Sequence, residues 1–179
     1  MKRNLTLAVL LLCLAVISVW GWNYSALQGP LTKVLSDDSR NDGIEVRAHF
    51  GSYLQSGILF FDLISVETGK APADVFRVLL QFAAAVKGRE FKRVVLAHRG
   101  VPKFQLEGAY FHQLGEEYSV QNPVFTMRTF PEHLLRPDGT RAFEQWSGGW
   151  LGVLNEQLED FGEFHKQWYM NDMAASSAN

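Results

Sequence analysis

Residues 58–98 read ILFFDLISVETGKAPADVFRVLLQFAAAVKGREFKRVVLAH, and this stretch decides the fold. Ile58 to Val66 is almost continuously apolar, with Phe60, Phe61, Ile64 and Val66, the pattern of a central strand covered on both faces. Thr68-Gly69-Lys70-Ala71-Pro72 supplies a turn and then a proline at the first helical position. At 100° per residue, Val75, Phe76, Val78, Leu79, Leu80, Phe82, Ala83 and Val86 share one broad arc, and Asp74, Arg77 and Gln81 the other. That spacing predicts an amphipathic helix capped near Gly88. Phe91 to His98 predicts a second buried strand around Val94, Val95 and Leu96. Strand, helix, strand implies a parallel pair with a right-handed crossover.

Outward from this unit, Ile44, Val46, Ala48 and Phe50 alternate with Glu45, Arg47 and His49, a strand with one wet face. Downstream, Gly100-Val101-Pro102 interrupts the chain, and Phe104 and Leu106 alternate within a short strand from Lys103 to Glu107. Ala109 to Tyr118 reads as a short helix. Val124 to Phe130, after Asn122-Pro123, reads as a further strand, and Pro137-Asp138-Gly139 as a turn. Trp146, Trp150, Leu151, Leu154, Leu158, Phe161, Phe164 and Trp168 share one face of a long final helix. Asn155, Glu156, Glu159, Asp160 and Glu163 share the opposite face. Gly148, Gly149 and Gly152 weaken its beginning by roughly 1 kcal/mol each, which places its first ordered turn after Trp146. The sum is an α+β domain: a mixed sheet of about five strands with packed helices and a long amphipathic C-terminal helix.

The domain is preceded by a membrane-inserting segment. Lys2 and Arg3 precede an uncharged run from Leu5 to Trp20, and Trp20, Trp22 and Tyr24 stand at its exit. Leu5 to Trp22 spans about 18 residues, which at ~1.5 Å per residue just reaches the hydrocarbon thickness. Basic residues stay on the cytoplasmic side and aromatic rings settle at headgroup level, so the N-terminus is expected inside and the domain exported. The length of the segment favours an uncleaved signal anchor, and it also fits a long signal-peptide core whose removal would release the domain. Cys13 follows Leu10-Leu11-Leu12, which is wrong for lipidation, and reads as a small apolar residue of a membrane helix. The expected organisation is therefore 1–22 signal anchor or signal peptide, 23–42 linker, 43–172 one domain and 173–179 disordered tail. The linker reading rests on Gly29-Pro30, Ser36-Asp37-Asp38-Ser39 and Asn41-Asp42-Gly43, with only a weak apolar patch at Leu31, Val34 and Leu35.

Composition narrows the chemistry. The 179-residue chain has net charge −2, and removing its first 21 residues, with two cations and no acid, takes the remainder to −4. An acidic domain lacks the basic face that phosphate neutralisation needs, so no nucleic-acid partner is expected. Cys13 is the single cysteine. The exported part thus has no thiolate nucleophile, no disulfide and no cysteine-ligated zinc. Gly69-Lys70 lacks the earlier glycine and the following Ser or Thr of a phosphate loop, having Ile64 and Ala71 there. Asp37 to Gly43 has the wrong ligand spacing for a calcium loop. No Gly-x-Ser-x-Gly elbow is present, since Trp146-Ser147-Gly148-Gly149 lacks the leading glycine. The five histidines, at 49, 98, 112, 133 and 165, form no His-x-His or His-Glu-x-x-His pair, so neither a metal nor another cofactor is expected. His165, among Phe161, Phe164 and Trp168, reads as a core histidine with one satisfied nitrogen.

Two clusters remain as candidate sites. His98-Arg99 stands at the carboxyl end of a buried parallel strand, with Lys103 following, where open α/β sheets gather ligands and where cations hold carboxylate or phosphate. A solvent-facing pair is expected there. The second cluster is Arg128, Glu132, His133 and Trp146. The pattern as a whole predicts a membrane-tethered extracytoplasmic binding or scaffold module, periplasmic in a bacterium, contacting another envelope protein through the aromatic final helix or a sheet edge. The alternative is an envelope hydrolase or transferase acting on an anionic substrate, with His98 as general base and Arg99 or Lys103 as anion clamp.

Overall fold

A computed structural model describes residues 2–147 and 150–177. Gly148, Gly149, Ala178 and Asn179, and the side chains of Lys2, Arg3, Leu5, Trp150, Leu151 and Ser177, lie outside the described residues. In chain order the elements are α1 (Lys2–Asn23), a π-helical turn (Tyr24–Gln28), α2 (Gly29–Asp37), β1 (Ile44–Gly51), β2 (Gln55–Val66) and α3 (Pro72–Ala85). Then come β3 (Arg93–His98), β4 (Val101–Glu107), α4 (Gly108–Glu117), α5 (Pro123–Thr129), α6 (Trp150–His165), a second π turn (Lys166–Met170) and α7 (Asn171–Ser177).

The fold is α+β, with a four-stranded sheet in the order β1-β2-β3-β4. β1 and β2 form an antiparallel hairpin, β2 and β3 run parallel across α3, and β4 returns antiparallel to β3. β2 and β3 are the two inner strands, which accounts for their apolar runs. Leu59, Phe61 and Leu63 of β2 and Val94 and Leu96 of β3 are fully enclosed, and Val75, Val78, Leu79 and Phe82 of α3 join them in one core. Gly108 opens α4 pressed against the Phe91 carbonyl, and a Cβ at Gly115 would stand 2.5 Å from the Ala83 carbonyl oxygen. Glycine at these two places lets α4 lie close on the segment entering β3 and on α3.

Three expectations are corrected. The fifth strand, Val124 to Phe130, is helix α5. Asn122 accepts the Val124 N–H at 2.9 Å through its side chain and Pro123 occupies the first helical position, two start signals that outweigh the β-branched and aromatic content. The linker 23–42 is mostly helical and packed: Ala26, Leu27 and Leu31 are buried in the core. Gly29-Pro30 reads as a breaker, yet the wider π turn at Tyr24–Gln28 leads through Gly29 into the proline, whose missing N–H and bulky ring an ordinary helix interior resists. The tail does not fray at Met173, because α7 carries the helix to Ser177 and Met173 packs against the core.

Both free edges of the sheet are covered from within. On β1, the Ala48 N–H donates to Gln28 Oε1 and the Phe50 N–H to Asn23 Oδ1, each at 2.9 Å. On β4, Gln105 exchanges backbone hydrogen bonds with Leu135 at 2.8 and 2.9 Å. The final helix turns Phe161, Phe164 and Trp168 into the core, while Leu158, assigned to the same face, stands exposed. Gln28 and Asn23 thus take up N–H groups of the β1 edge and Leu135 bonds the β4 edge, and Phe161, Phe164 and Trp168 face inward.

Candidate functional site

β3 ends where the apolar run ends, and the turn Arg99-Gly100 takes positive φ at both residues, 50° and 80°. Asp62 on the neighbouring strand fixes the turn by accepting the Gly100 N–H at 2.9 and 3.1 Å. The structure brings His98, Arg99 and Lys103 together, but against the end of the chain. His98 Nδ1–H donates to Asp172 Oδ2 at 3.0 Å, and Lys103 Nζ donates to the same oxygen at 2.7 Å. Arg99 donates to the Ile64 carbonyl at 3.2 Å and to Ser176 Oγ at 3.4 Å. Nearby, Trp168 Nε1–H donates to the Ala97 carbonyl at 3.0 Å.

The expectation of a solvent-facing His98 is therefore corrected: the side chain is 1% exposed, because the terminal helix continues past Met170 and covers it. With Nδ1 engaged by Asp172, the ring's other nitrogen, Nε2, is buried without a hydrogen-bond partner. Lys103 first, and His98 second, hold the Asp172 carboxyl below the usual carboxylate range. Chemically this is a clasp that fastens the last helix to the sheet.

The second cluster divides. Arg128 Nε–H donates to Gln157 Oε1 at 2.9 Å, and Gln157 Nε2–H donates to Glu132 Oε1 at 2.5 Å, so a buried glutamine of α6 joins two of the candidates. His133 stands apart, its ring stacked on Tyr110 with centroids 3.6 Å apart. Burial lowers the His133 pKa and raises that of the Tyr110 phenol above its ordinary value. Glu132 and His133 line a hollow of about 170 Å³ with Glu107, Tyr110 and Arg141. Trp146 Nε1–H donates to Asp160 Oδ2 at 2.7 Å on α6.

His165 is fully buried, as its apolar surroundings predict, but the expected satisfied nitrogen is absent: neither ring nitrogen has a partner. Phe161, Phe164 and Tyr169 surround the ring edge-on, and burial pushes its pKa down to about 3.

A further feature escaped the sequence reading. α3, α4 and α5 enclose a cleft of about 320 Å³ with Phe76, Leu80, Leu114 and Met127 on its walls and Arg40, Arg77, Glu117 and Gln121 around it. Arg77 is held by Asp74 at 2.8 Å and donates to Asn41 and to the Arg40 carbonyl, while Arg40 pairs with Asp38 at 2.7 Å. Asp38 also accepts from Gln81, and with Arg40 as the main cause its carboxyl lies well below the usual range. Beside the cleft Tyr118, Val120, Val124 and Phe125 are exposed. Reading 124–130 as a strand hid the Val124–Phe125 pair, since alternation on a sheet would have buried one of the two; the helix exposes both.

Among the described residues no group of three His, Cys, Asp or Glu side chains is placed to hold a metal. The run Thr6–Asp37 is one helix long and apolar enough to cross a membrane, and its first part is exposed from Leu7 to Ser18. No protein-family model, no curated protein and no solved structure matches this chain.

Proposed function

We propose that the chain is a membrane-tethered binding module, held by its N-terminal helix with the domain on the extracytoplasmic side, and that the cleft between α3, α4 and α5 receives an apolar segment of another envelope protein. The cleft is the observation that carries this reading. Its walls are apolar, and Arg40 and Arg77 at its rim are already held by Asp38 and Asp74, so the apolar interior is what it offers a partner. Exposed Tyr118, Val120, Val124 and Phe125 extend the apolar surface beyond it. α2 ends at Asp37, 15 residues beyond Trp22, so at ~1.5 Å per helical residue the helix reaches the cleft's Arg40 roughly 20 Å beyond the aromatic exit, within reach of a neighbouring protein's ectodomain. Lys2 and Arg3 favour the cytoplasmic side for the N-terminus. The continuity of helix from α1 into the domain favours an anchor that stays attached over a cleaved signal whose domain is released. Against an envelope hydrolase or transferase stands the clasp: His98 is enclosed and engaged by Asp172, and Lys103 and Arg99 bind groups of the chain itself.

The test is site-specific photocrosslinking in cells. A benzophenone amino acid replacing Phe125 should give one discrete adduct, lost when the exposed cleft-mouth residue Ala73 is replaced by Trp. The same probe at Glu144, away from the cleft, should give none. Equal adducts from both positions, or an adduct indifferent to Ala73→Trp, would overturn the cleft as the binding site.

A further inference from the structure

The other end of the domain has a different chemistry. β1 and β2 meet in a turn, Gly51 to Leu54, closed by the Leu54 N–H donating to the Gly51 carbonyl at 3.1 Å. Its middle residues, Ser52 and Tyr53, have φ of 47° and 62°, a conformation hairpin turns ordinarily give to Asn and Gly. A tyrosine there is held against its backbone preference, and its ring stacks on His49, which also stacks on Phe60. Tyr53 is 50% exposed and Leu54 65%.

The tip is tied to the exit of the apolar helix. Asn23 Nδ2–H donates to the Tyr53 carbonyl at 2.7 Å, while its Oδ1 accepts the Phe50 N–H at 2.9 Å. Trp22 stacks on Phe50 with centroids 4.5 Å apart, and Trp20 on Tyr24 at 5.5 Å. If the helix crosses a bilayer, its aromatic exit lies at headgroup depth, and these contacts bring Tyr53 and Leu54 to that depth as well.

Charge points the same way. The segment 87–93 carries Lys87, Arg89, Lys92 and Arg93 against Glu90, a net charge of +3 in a chain of net charge −2. Arg89, Glu90 and Lys92 line a hollow of about 440 Å³ whose wall is Trp22 and Phe50. Lys92 lies with its methylene stem along Gly57, and its N–H donates to the Gly57 carbonyl at 2.8 Å. Among the described residues neither Arg89 nor Lys92 makes an ion pair, whereas Lys87 is 3.5 Å from Glu116.

We propose that this end of the domain is a bilayer-contact surface, in which Tyr53 and Leu54 enter the headgroup–acyl boundary and Arg89 and Lys92, beside Trp22, hold the phosphate of an anionic lipid. The surface rests on the reading of α1 as a membrane span. It makes the tether a seat: one helix alone lets a domain swing, and a second contact a helix width away fixes its orientation and aims the cleft outward.

The full chain in vesicles tests it, with nitroxide on the native Cys13, and separately on Leu54→Cys in a Cys13→Ser chain. In phosphatidylcholine containing phosphatidylglycerol, both labels should be reached by oxygen and shielded from a nickel chelate. A shielded label at 13 with a nickel-accessible label at 54 overturns the contact and leaves the span standing. Nickel access at both positions overturns the span and the contact together. For the lipid, mass spectrometry of the full chain released from mixed vesicles should show preferential retention of phosphatidylglycerol. That preference should fall about tenfold in Arg89→Gln/Lys92→Gln, at roughly a factor of several per cation near the surface, and persist in Arg89→Lys/Lys92→Arg. An unchanged preference in the neutralised variant overturns the cationic site.

Discussion

The two ends of the sheet spend their polar groups differently. At the end where β3 runs out, Asp62 fixes a turn, Asp172 gathers His98 and Lys103, and Arg99 reaches Ser176. Beside it Asp38, Arg40, Asn41, Asp74, Arg77 and Gln81 bond one another. At the hairpin end, Arg89 and Lys92 have no acidic partner among the described residues, and Tyr53 and Leu54 stand in the open. A charge already satisfied by its own chain must break a bond to greet a ligand, whereas an unpaired one need only lose water. Proximity to a strand's carboxyl end is therefore a weaker guide to a site than the state of the side chains once the chain has closed around them.

The largest way to break this comparison is to cut the chain between its halves. A fragment from Asp42 discards Leu27 and Leu31, both fully buried, at about 1.5–3 kcal/mol each. It also strips the amide caps of Asn23 and Gln28 from β1. Set against a total stability of about 5–15 kcal/mol, this should leave the fragment aggregated or without a cooperative melt, while a fragment from Asn23 melts cooperatively by circular dichroism. Equal melts would show that the helix after the π turn is only a tether.

A smaller effect is expected at His165, between the two ends. Its pKa is about 3 in the folded state against an ordinary 6.5, so between those values the unfolded chain takes up a proton that the folded one refuses. Stability accordingly falls as pH drops through 6.5 toward 3, by at most ~1.4 kcal/mol per unit. His165→Phe should remove this share: relative to the parent, the variant should gain about 2–3 kcal/mol between pH 7.5 and pH 4.5 in denaturant titrations. The comparison of differences cancels carboxylates that titrate in both proteins. A parallel pH profile would mean that the imidazole finds a partner or water.

The α+β class was legible because α3 repeats its apolar residues at the helical period between two continuous apolar runs, those of β2 and β3, that turn residues cut too short for buried helices. What failed was local punctuation overruled by packing. Gly29-Pro30 looks like a break, and only the register of Leu27 and Leu31 on one face shows that a helix runs through it. Asn122-Pro123 looked like a loop before a strand when it was a helix start. Residues 98, 99 and 103 lie together because strand order brings them so, but the covering of His98 by Asp172 depends on a contact 74 residues away that no local pattern encodes. The cleft was illegible for a related reason: its walls come from three helices, one of them misread.

The last prediction sets one cation from each end against another. Lys103 is 23% exposed and its ammonium is 2.7 Å from an Asp172 oxygen that is itself partly open to water, so Lys103→Gln should cost about 0.5–1 kcal/mol once solvent screening is allowed for. Arg89→Gln removes a cation without an acidic partner among the described residues, and should change stability by less than about 0.5 kcal/mol, in either direction. Added salt sharpens the contrast. The Lys103 penalty should shrink as ionic strength rises, because the pair it breaks is screened, while the Arg89 value should stay flat. Denaturant titrations of both variants at low and high salt decide the matter. If Arg89→Gln proves the more costly, its guanidinium is bound inside the protein, and the two ends of the sheet do not differ in the way their hydrogen bonds imply.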